Sequence, residues 1–449
     1  MTLESAHAHH HAANDRRGGV RRLEVPLLAA LGGIACVWAL AAACYVLGPD
    51  GDPRGIVALT GPELAVEWAE LAYDIAYAED QFFTFKGQRA IAMMHLAMHD
   101  ALQAVVPEYE AYVYEAVAPT ADPLAAASAA AYEVLLASYP DRQAALDSAL
   151  TRWLDRASNG HPRRAGTELG TSAARTVIEH RAKDGWTDEG MYTFRSGPGQ
   201  YQTTPPWEGF TLLPAFGAAT PFSFDDPTRF APPPPPGLDS PEYAAALNEV
   251  REHGDSTSAA RTEDQTGYAL WWMEFSESAV GRVARELLSE SGRDLWETNR
   301  VLAHLYVALV DAYVSTWNSK YAYNHWRPYT AIRAADTDGN DETTPDPEWV
   351  PLRPTPPFPE YVSAHAAGCG AAYEVMAGSF GDATPFENTS LTQPAGMPSR
   401  SFTSFAAAAE ECADSRIRLG WHFRYATDAG LDLGRSVAQH VMTSTLPQR

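Results

Sequence analysis

From Pro62 onward the chain carries apolar residues at steps of three and four, the repeat of helices that bury one face. The pattern predicts helices over 64–77, 89–105, 124–138, 142–157 and 164–182, the last three rich in alanine. It then lapses between 185 and 239, where Thr203-Thr204-Pro205-Pro206-Trp207 and the proline run 232–236 stand. A proline run is stiff and extended. Neither flank is self-sufficient, so this stretch reads as a surface crossing within one domain and not as a linker. Helical spacing resumes over 241–253, 261–275, 279–288 and 294–320, then over 362–380, 402–419 and 423–443. No apolar–polar alternation lasts long enough to predict a sheet. The expectation is one all-α domain over 58–445.

Ahead of it, residues 25–47 form an uncharged apolar stretch preceded by Arg16, Arg17, Arg21 and Arg22 and followed by Asp50 and Asp52. About 20 such residues span a bilayer core, and arginines mark the cytoplasmic side. The stretch is longer than the apolar part of a cleaved signal. It predicts a membrane anchor, with residues 1–24 as a disordered cytoplasmic tail and the domain extracytoplasmic, or secreted if the segment is cleaved. His7, His9, His10 and His11 belong to that tail.

Charge narrows the partners. Acids outnumber bases 57 to 33, a net −24, so a polyanionic nucleic acid would be repelled. Four cysteines without zinc spacing exclude a cysteine-built metal centre.

Three short stretches carry the chemistry. The helix over 294–320 lines up Leu302, Tyr306, Leu309, Tyr313, Trp317 and Lys320 on one apolar stripe, delivering an ammonium to an interior edge. Seven residues later Arg327 precedes Pro328, which disfavours helix before it and sets Arg327 in a bend. Next, a proline-rich loop ending in Phe358-Pro359-Glu360-Tyr361-Val362 leads into Ser363-Ala364-His365 and a small-residue helix. Helix starts offer free N–H groups, here beside a hydroxyl and an imidazole. Last comes Ser415-Arg416, then Gly420-Trp421-His422. A continuous helix would set Arg416 and His422 about 240° apart. They converge only if the helix breaks, and Gly420 suits a break. Cys369 follows His365 by one turn and Cys412 precedes Arg416 by one turn. They read as two buried thiols, with a disulfide open only if the segments are neighbours.

Together the three stretches resemble the vanadium-dependent haloperoxidase and type 2 phosphatidic-acid phosphatase superfamily. Its signature is Lys-x6-Arg-Pro, Pro-Ser-Gly-His and Ser-Arg-x3-Gly-x-His, in this order. The upstream stretch from Arg89 through His95, His99 and Ala101, and the one around Thr204 to Trp207, look like the bacterial haloperoxidase branch. The resemblance implies two packed four-helix bundles and one vanadate held by His422, with Lys320, Arg327 and Arg416 balancing its oxygens. Ser363 and the Ala364 N–H would complete the cradle, His365 would act as acid–base, and Lys320 would polarise hydrogen peroxide toward halide. Trp317 and Phe358 look similar to aromatics on the halide side of fungal-type chloroperoxidases. Hypohalous acid and a small organic acceptor follow as product and partner.

Two departures stand out. Val362-Ser363-Ala364-His365 replaces Pro-Ser-Gly-His, and Ala426 stands where phosphatase-type members place an aspartate; Asp428 points elsewhere on a helix. The alternative readings are a phosphatase, which needs no cofactor and works through a phospho-histidine on His422, and a non-catalytic anchored binding protein. His95 and His99 read as core histidines, and residues 336–342 as a solvated acidic loop.

Overall fold

The computed structural model describes residues 60–80, 85–394 and 396–449, all within one compact unit. The expected tail and anchor, residues 1–24 and 25–47, lie outside them. No helix among the described residues is long and apolar enough to cross a membrane.

The predicted helices form close to their expected bounds: α1 (Glu63–Asp80), α2 (Lys86–Val105), α3 (Pro123–Ser138), α4 (Gln143–Arg156) and α5 (His161–His180) in the first part. After the long loop come α6 (Pro241–His253), α7 (Glu263–Trp271), α8 (Ser276–Glu290), α9 (Leu295–Tyr323) and the short α10 (Pro328–Arg333). The C-terminal part holds α11 (Ala364–Phe380), α12 (Phe405–Arg418) and α13 (Arg424–Ser444). One expectation fails: Phe386–Thr389 (β1) and Ser399–Phe402 (β2) pair as an antiparallel hairpin. Four residues per strand are too few for alternation to register in the sequence.

Helix α9 is the spine. Asp294 caps its start by accepting from Glu297 N–H at 2.9 Å. It runs to Tyr323, three residues beyond the predicted stop at Lys320, and the left-handed backbone of Asn324 (φ 53°) then turns the chain. The predicted stripe is buried throughout. On one side α9 meets α2, itself packed on α3 and α5; on the other it meets α11 and α13. The alanine–glycine helix α11 lets α13 approach closely. A Cβ on Gly434 would lie 2.1 Å from the Ala367 carbonyl oxygen. A disulfide, Cys369–Cys412, ties α11 to α12 and replaces the two free thiols expected. That pairing depends on two helices meeting, which spacing along the chain does not reveal.

The loop over 185–239 is part of the domain, as expected. Buried Asp311 on α9 accepts N–H groups from Phe222 at 2.6 Å and Ser223 at 2.9 Å. Leu212 O accepts from the Tyr321 hydroxyl at 2.6 Å, and Leu212 N–H donates to Pro357 O at 2.9 Å. In the proline run, Pro232 and Pro233 carbonyls accept from the Tyr323 and Tyr361 hydroxyls. These bonds lay the loop across the C-terminal end of α9, over the chemistry-bearing stretches.

Candidate functional site

Each stretch meets the others because of a local backbone break. Arg327 has extended backbone and caps α10, with Pro328 in the first helical position, as the sequence predicts. Ser363 caps α11, so Ala364 opens the helix with ordinary backbone that a methyl tolerates. This accounts for alanine where the signature that the sequence resembles has glycine. Gly420 takes φ +80° just past α12 and is wedged against Gly254, Pro351 and Trp349, and the chain turns before α13 starts at Arg424. That turn brings His422 back toward Arg416.

The two arginines are fully buried. Arg327 donates through Nε to Phe358 O at 2.8 Å, and through Nη1 to Trp421 O at 2.9 Å and His422 Nε2 at 3.1 Å. Arg416 donates through Nε to Ser415 Oγ at 2.9 Å and through Nη2 to Trp272 O. What remains is the informative part: Arg327 Nη2 and Arg416 Nη1 are buried and have no protein partner. Burial pushes their pKa values down, to about 10 and about 9, and both stay charged at neutral pH.

Lys320 is also fully buried and donates to the carbonyls of Pro359 (3.1 Å), Glu360 (3.0 Å) and Val362 (2.5 Å). Three acceptors call for three protons, the ammonium form. Burial and Arg327 push its pKa down, while Glu360 supports the charge. The ammonium and the Arg327 guanidinium both lie over the Phe358 ring, 4.9 and 4.8 Å from its centroid. Phe358 in turn packs on Trp317 at 5.0 Å. Lys320 therefore stands behind Phe358, holding the 359–362 loop, and does not itself line the cavity.

Glu360 is the functional residue that the motifs miss. Its carboxylate is fully buried, and Oε1 accepts from His422 Nδ1 at 2.9 Å and Phe423 N–H at 3.0 Å. A proton on Nδ1 leaves Nε2 with a free lone pair, now capped by the Arg327 N–H. Burial first, then Arg327 and Lys320, push the His422 pKa well down, so the ring is neutral. Burial pushes Glu360 up to about 7, against the pull of the same two cations. The available signal was charge balance: Glu360 is the single acid between Pro354 and His365, flanked by proline and tyrosine.

His365 donates through Nε2 to Glu274 O at 3.0 Å, since a carbonyl only accepts, and Nδ1 is left unprotonated. Burial and Arg416 lower its pKa to about 3, making it a neutral base. Ala364, His365, Arg416 and His422 open onto a cavity of about 550 Å³ that Trp317 and Phe358 also line. Ser363 lies behind the wall. Its N–H is anchored to the carbonyl of Ala426, the position that lacks the phosphatase aspartate.

Three buried cations face one carboxylate, leaving two positive charges uncompensated beside two empty donors. Buried charge without a partner costs several kcal/mol per ion. A tetrahedral oxyanion offers acceptors to both empty donors, and the lone pair at His422 Nε2, which the Arg327 N–H now caps, suits a metal centre such as vanadium. The residues fit vanadate.

The other candidates are structural. His95 Nδ1 pairs with Asn299 Oδ1 at 2.8 Å, and His99 Nε2 with Glu110 O at 3.0 Å. The 336–342 loop is less solvated than expected. Asp338 is buried, bonding the Asn340 N–H and the Thr343 hydroxyl. Among the described residues no group of three or more His, Cys, Asp or Glu is placed to hold a metal cation.

Comparison with known proteins agrees with this geometry. A family model described as the VCPO second helical-bundle domain matches residues 300–447. Vanadium chloroperoxidase of Curvularia inaequalis is 28% identical over 176 residues, a match covering 32% of this chain and 28% of that protein. The chain thus spans little more than a quarter of the curated relative's length. The structure titled as the first bacterial vanadium-dependent iodoperoxidase superposes with a TM-score of 0.73 at 26% identity, covering 86% of this chain and 97% of that one. A holo-type bacterial vanadium-dependent chloroperoxidase superposes at 0.63 and 17% identity, over 89% and 94%, and is similar in fold.

Proposed function

The chain belongs to the vanadium-dependent haloperoxidase and type 2 phosphatidic-acid phosphatase superfamily, and from that premise we propose that it is a vanadate-dependent haloperoxidase, oxidising halide with hydrogen peroxide to hypohalous acid. The observation that carries the proposal is the pair of buried, unpartnered donors, Arg327 Nη2 and Arg416 Nη1, of which Arg416 lines the cavity while Arg327 bonds its lining residue His422. The missing aspartate at Ala426 and the aromatic wall beside the donors favour the peroxidase over the phosphatase.

Vanadate, when bound, supplies Lewis acidity that activates peroxide toward halide without a change in oxidation state. Arg327 and Arg416 bind the oxyanion, the Ala364 N–H extends the cradle, and Ser363 supports it from behind as the cap of α11. Glu360 fixes the His422 ring through Nδ1, so that Nε2 is the nitrogen that would hold vanadium. His365 takes the peroxide proton on Nδ1, with Nε2–H tethered to Glu274 O. Lys320 keeps the 359–362 loop in place through three carbonyls, and its positive charge acts on the bound anion from behind Phe358. Trp317 and Phe358 exclude water and strengthen every charge interaction behind them.

Residues 25–47 would tether the enzyme with its domain outside the cytoplasm. The Cys369–Cys412 disulfide supports an oxidising compartment. Membrane fractionation checks this: full-mass protein in the soluble pool overturns it.

Two substitutions test the chemistry. His422→Ala is expected to lose vanadium, whereas His365→Ala keeps vanadium and turns over slowly. Halide oxidation at the wild-type rate by the His422→Ala chain refutes the proposal.

A further inference from the structure

The turn between α7 and α8, residues 272–275, serves two cage residues at once. Its Trp272 carbonyl accepts from Arg416 Nη2, and its Glu274 carbonyl accepts from His365 Nε2 at 3.0 Å. The side chains of Met273 and Phe275 line the cavity, whereas those of Trp272 and Glu274 do not. A site is only as well placed as the contacts that support its ligating groups, so what grips this turn decides where His365 and Arg416 stand.

The grip comes from the β1–β2 hairpin and the loop between its strands, which place no residue in the cavity. On the β1 side, Glu274 N–H donates to Thr392 Oγ1 at 3.1 Å, and Glu274 Oε2 accepts from Leu391 N–H at 3.2 Å. Glu274 Oε1 accepts from Arg282 Nη2, which also donates to the Thr389 carbonyl. The Ser390 and Thr392 hydroxyls both donate to the Trp271 carbonyl, at 2.6 and 3.0 Å. On the β2 side, Arg400 holds Glu411 of α12 with two bonds, 2.7 and 2.5 Å. Glu411 Oε1 in turn accepts from Trp272 Nε1–H at 2.9 Å, and the Phe402 ring packs on Trp272 at 6.1 Å. Apolar contacts would suffice to dock a hairpin on the core. Burying the Glu274 carboxylate is costly, and its bonds are spent on one turn.

We propose that the hairpin is a positioning clamp for the cage, with Glu274 setting His365 and Glu411 setting Arg416 through the 272–275 turn. The acid–base group and an anion ligand are thereby held by two contacts that can be cut separately. A misplacement of about 1 Å by groups remote from the chemistry costs up to about 100-fold in rate, so a clamp that touches no substrate still governs turnover. The hold on His365 rests on the haloperoxidase reading, and the hold on Arg416 is measurable without it.

Two charge-removing substitutions in the full chain test the clamp. Each is read by calorimetric titration with phosphate and, after loading with vanadate, by kcat for bromide oxidation. Exchanging a charged for a neutral hydrogen bond is expected to show as a roughly fivefold effect. Glu274→Gln is expected to lower kcat on that scale with phosphate affinity unchanged, and Glu411→Gln to weaken phosphate on that scale. Thr392→Val, at an exposed position, removes the acceptor of the Glu274 N–H and is expected to lower kcat in the same way should Glu274→Gln fold poorly. Arg293→Gln loses a bond to the Ser379 carbonyl beyond the other end of α8. It controls for destabilisation alone, and is expected to lower the melting temperature with both readouts at wild type. Wild-type kcat in folded Glu274→Gln or Thr392→Val chains overturns the hold on His365. Wild-type phosphate affinity in Glu411→Gln overturns the hold on Arg416. Equal losses of both readouts in every variant, the Arg293→Gln control included, show general loosening and overturn the clamp. A wild-type chain that binds phosphate but oxidises no bromide refutes the peroxidase reading, while the phosphate titrations still decide the hold on Arg416.

Discussion

Glu360→Gln separates a cage that merely attracts anions from one that places a ligand nitrogen at a metal. Gln keeps the volume and one carbonyl oxygen for His422 Nδ1 and Phe423 N–H, which now bond Glu360 at 2.9 and 3.0 Å. The charge is lost. A hydrogen bond to a charged group contributes about 1.5–3 kcal/mol and a neutral one about 0.5–1.5. The His422 contact therefore weakens by about 1–2 kcal/mol, a roughly 5- to 30-fold loss of vanadate affinity. Groups that hold the other ring nitrogen of a metal-bound histidine typically cost about 10- to 100-fold in metal affinity when removed. Phosphate behaves differently. It engages the arginine donors without needing the imidazole lone pair, and removal of a buried negative charge does not oppose it. Its affinity is expected to hold or rise. Lys320 and Arg327 also lose their buried counter-charge, so the melting temperature falls, and titrations belong well below the transition. Calorimetry with orthovanadate and with phosphate reads both constants. Equal weakening of both anions, or unchanged vanadate affinity, refutes the claim that Glu360 acts through His422.

Removing the disulfide with Cys369→Ala and Cys412→Ala frees a closure of 43 residues, worth about 4 kcal/mol in chain entropy; urea unfolding checks it, and no loss of stability contradicts the pairing. Arg416→Ala is expected to abolish phosphate binding, and Arg416→Lys to weaken it at least tenfold because Nη1 and Nη2 serve different partners; wild-type phosphate affinity in either chain counts against the cage. His99 gives a pH signature. Burial holds its pKa at about 3 in the fold, below the unfolded value, so its stabilising contribution is complete above pH 6.5 and drains away as pH falls toward 3. Between pH 7 and 5, wild type is expected to lose roughly 2 kcal/mol more stability than His99→Gln, since each pH unit below 6.5 is worth about 1.4 kcal/mol; parallel profiles by urea unfolding contradict it.

The cage was legible because backbone chemistry signals it locally. Pro328 fixes the bend at Arg327, Ser363 caps α11, and Gly420 permits the left-handed turn that returns His422. The long helices were legible because each buries an apolar face against a neighbour. What escaped depends on meetings between distant segments. Glu360 reaches His422 only once the 359–362 loop folds back on α13. Cys369 finds Cys412 only through the packing of α11 on α12. Trp207 and Phe210, which line the cavity with Trp317 and Phe358, lie in a loop with no periodicity, placed by bonds such as Tyr321 Oη to Leu212 O. Lys320 was read as a direct anion contact, but a helix stripe shows only that its ammonium is buried. It does not show that three loop carbonyls take up its protons.

The sign of the vanadate effect tests the central claim most directly. The full chain, stripped of oxyanions, is assayed with and without orthovanadate for bromide and iodide oxidation by hydrogen peroxide and for phosphomonoester hydrolysis. The account predicts that vanadate switches on halide oxidation and that phosphate suppresses it by competing for Arg327 and Arg416. Hydrolysis by the vanadate-free chain, abolished by vanadate and unaccompanied by halide oxidation, would contradict it and assign the same cage to phosphoryl transfer.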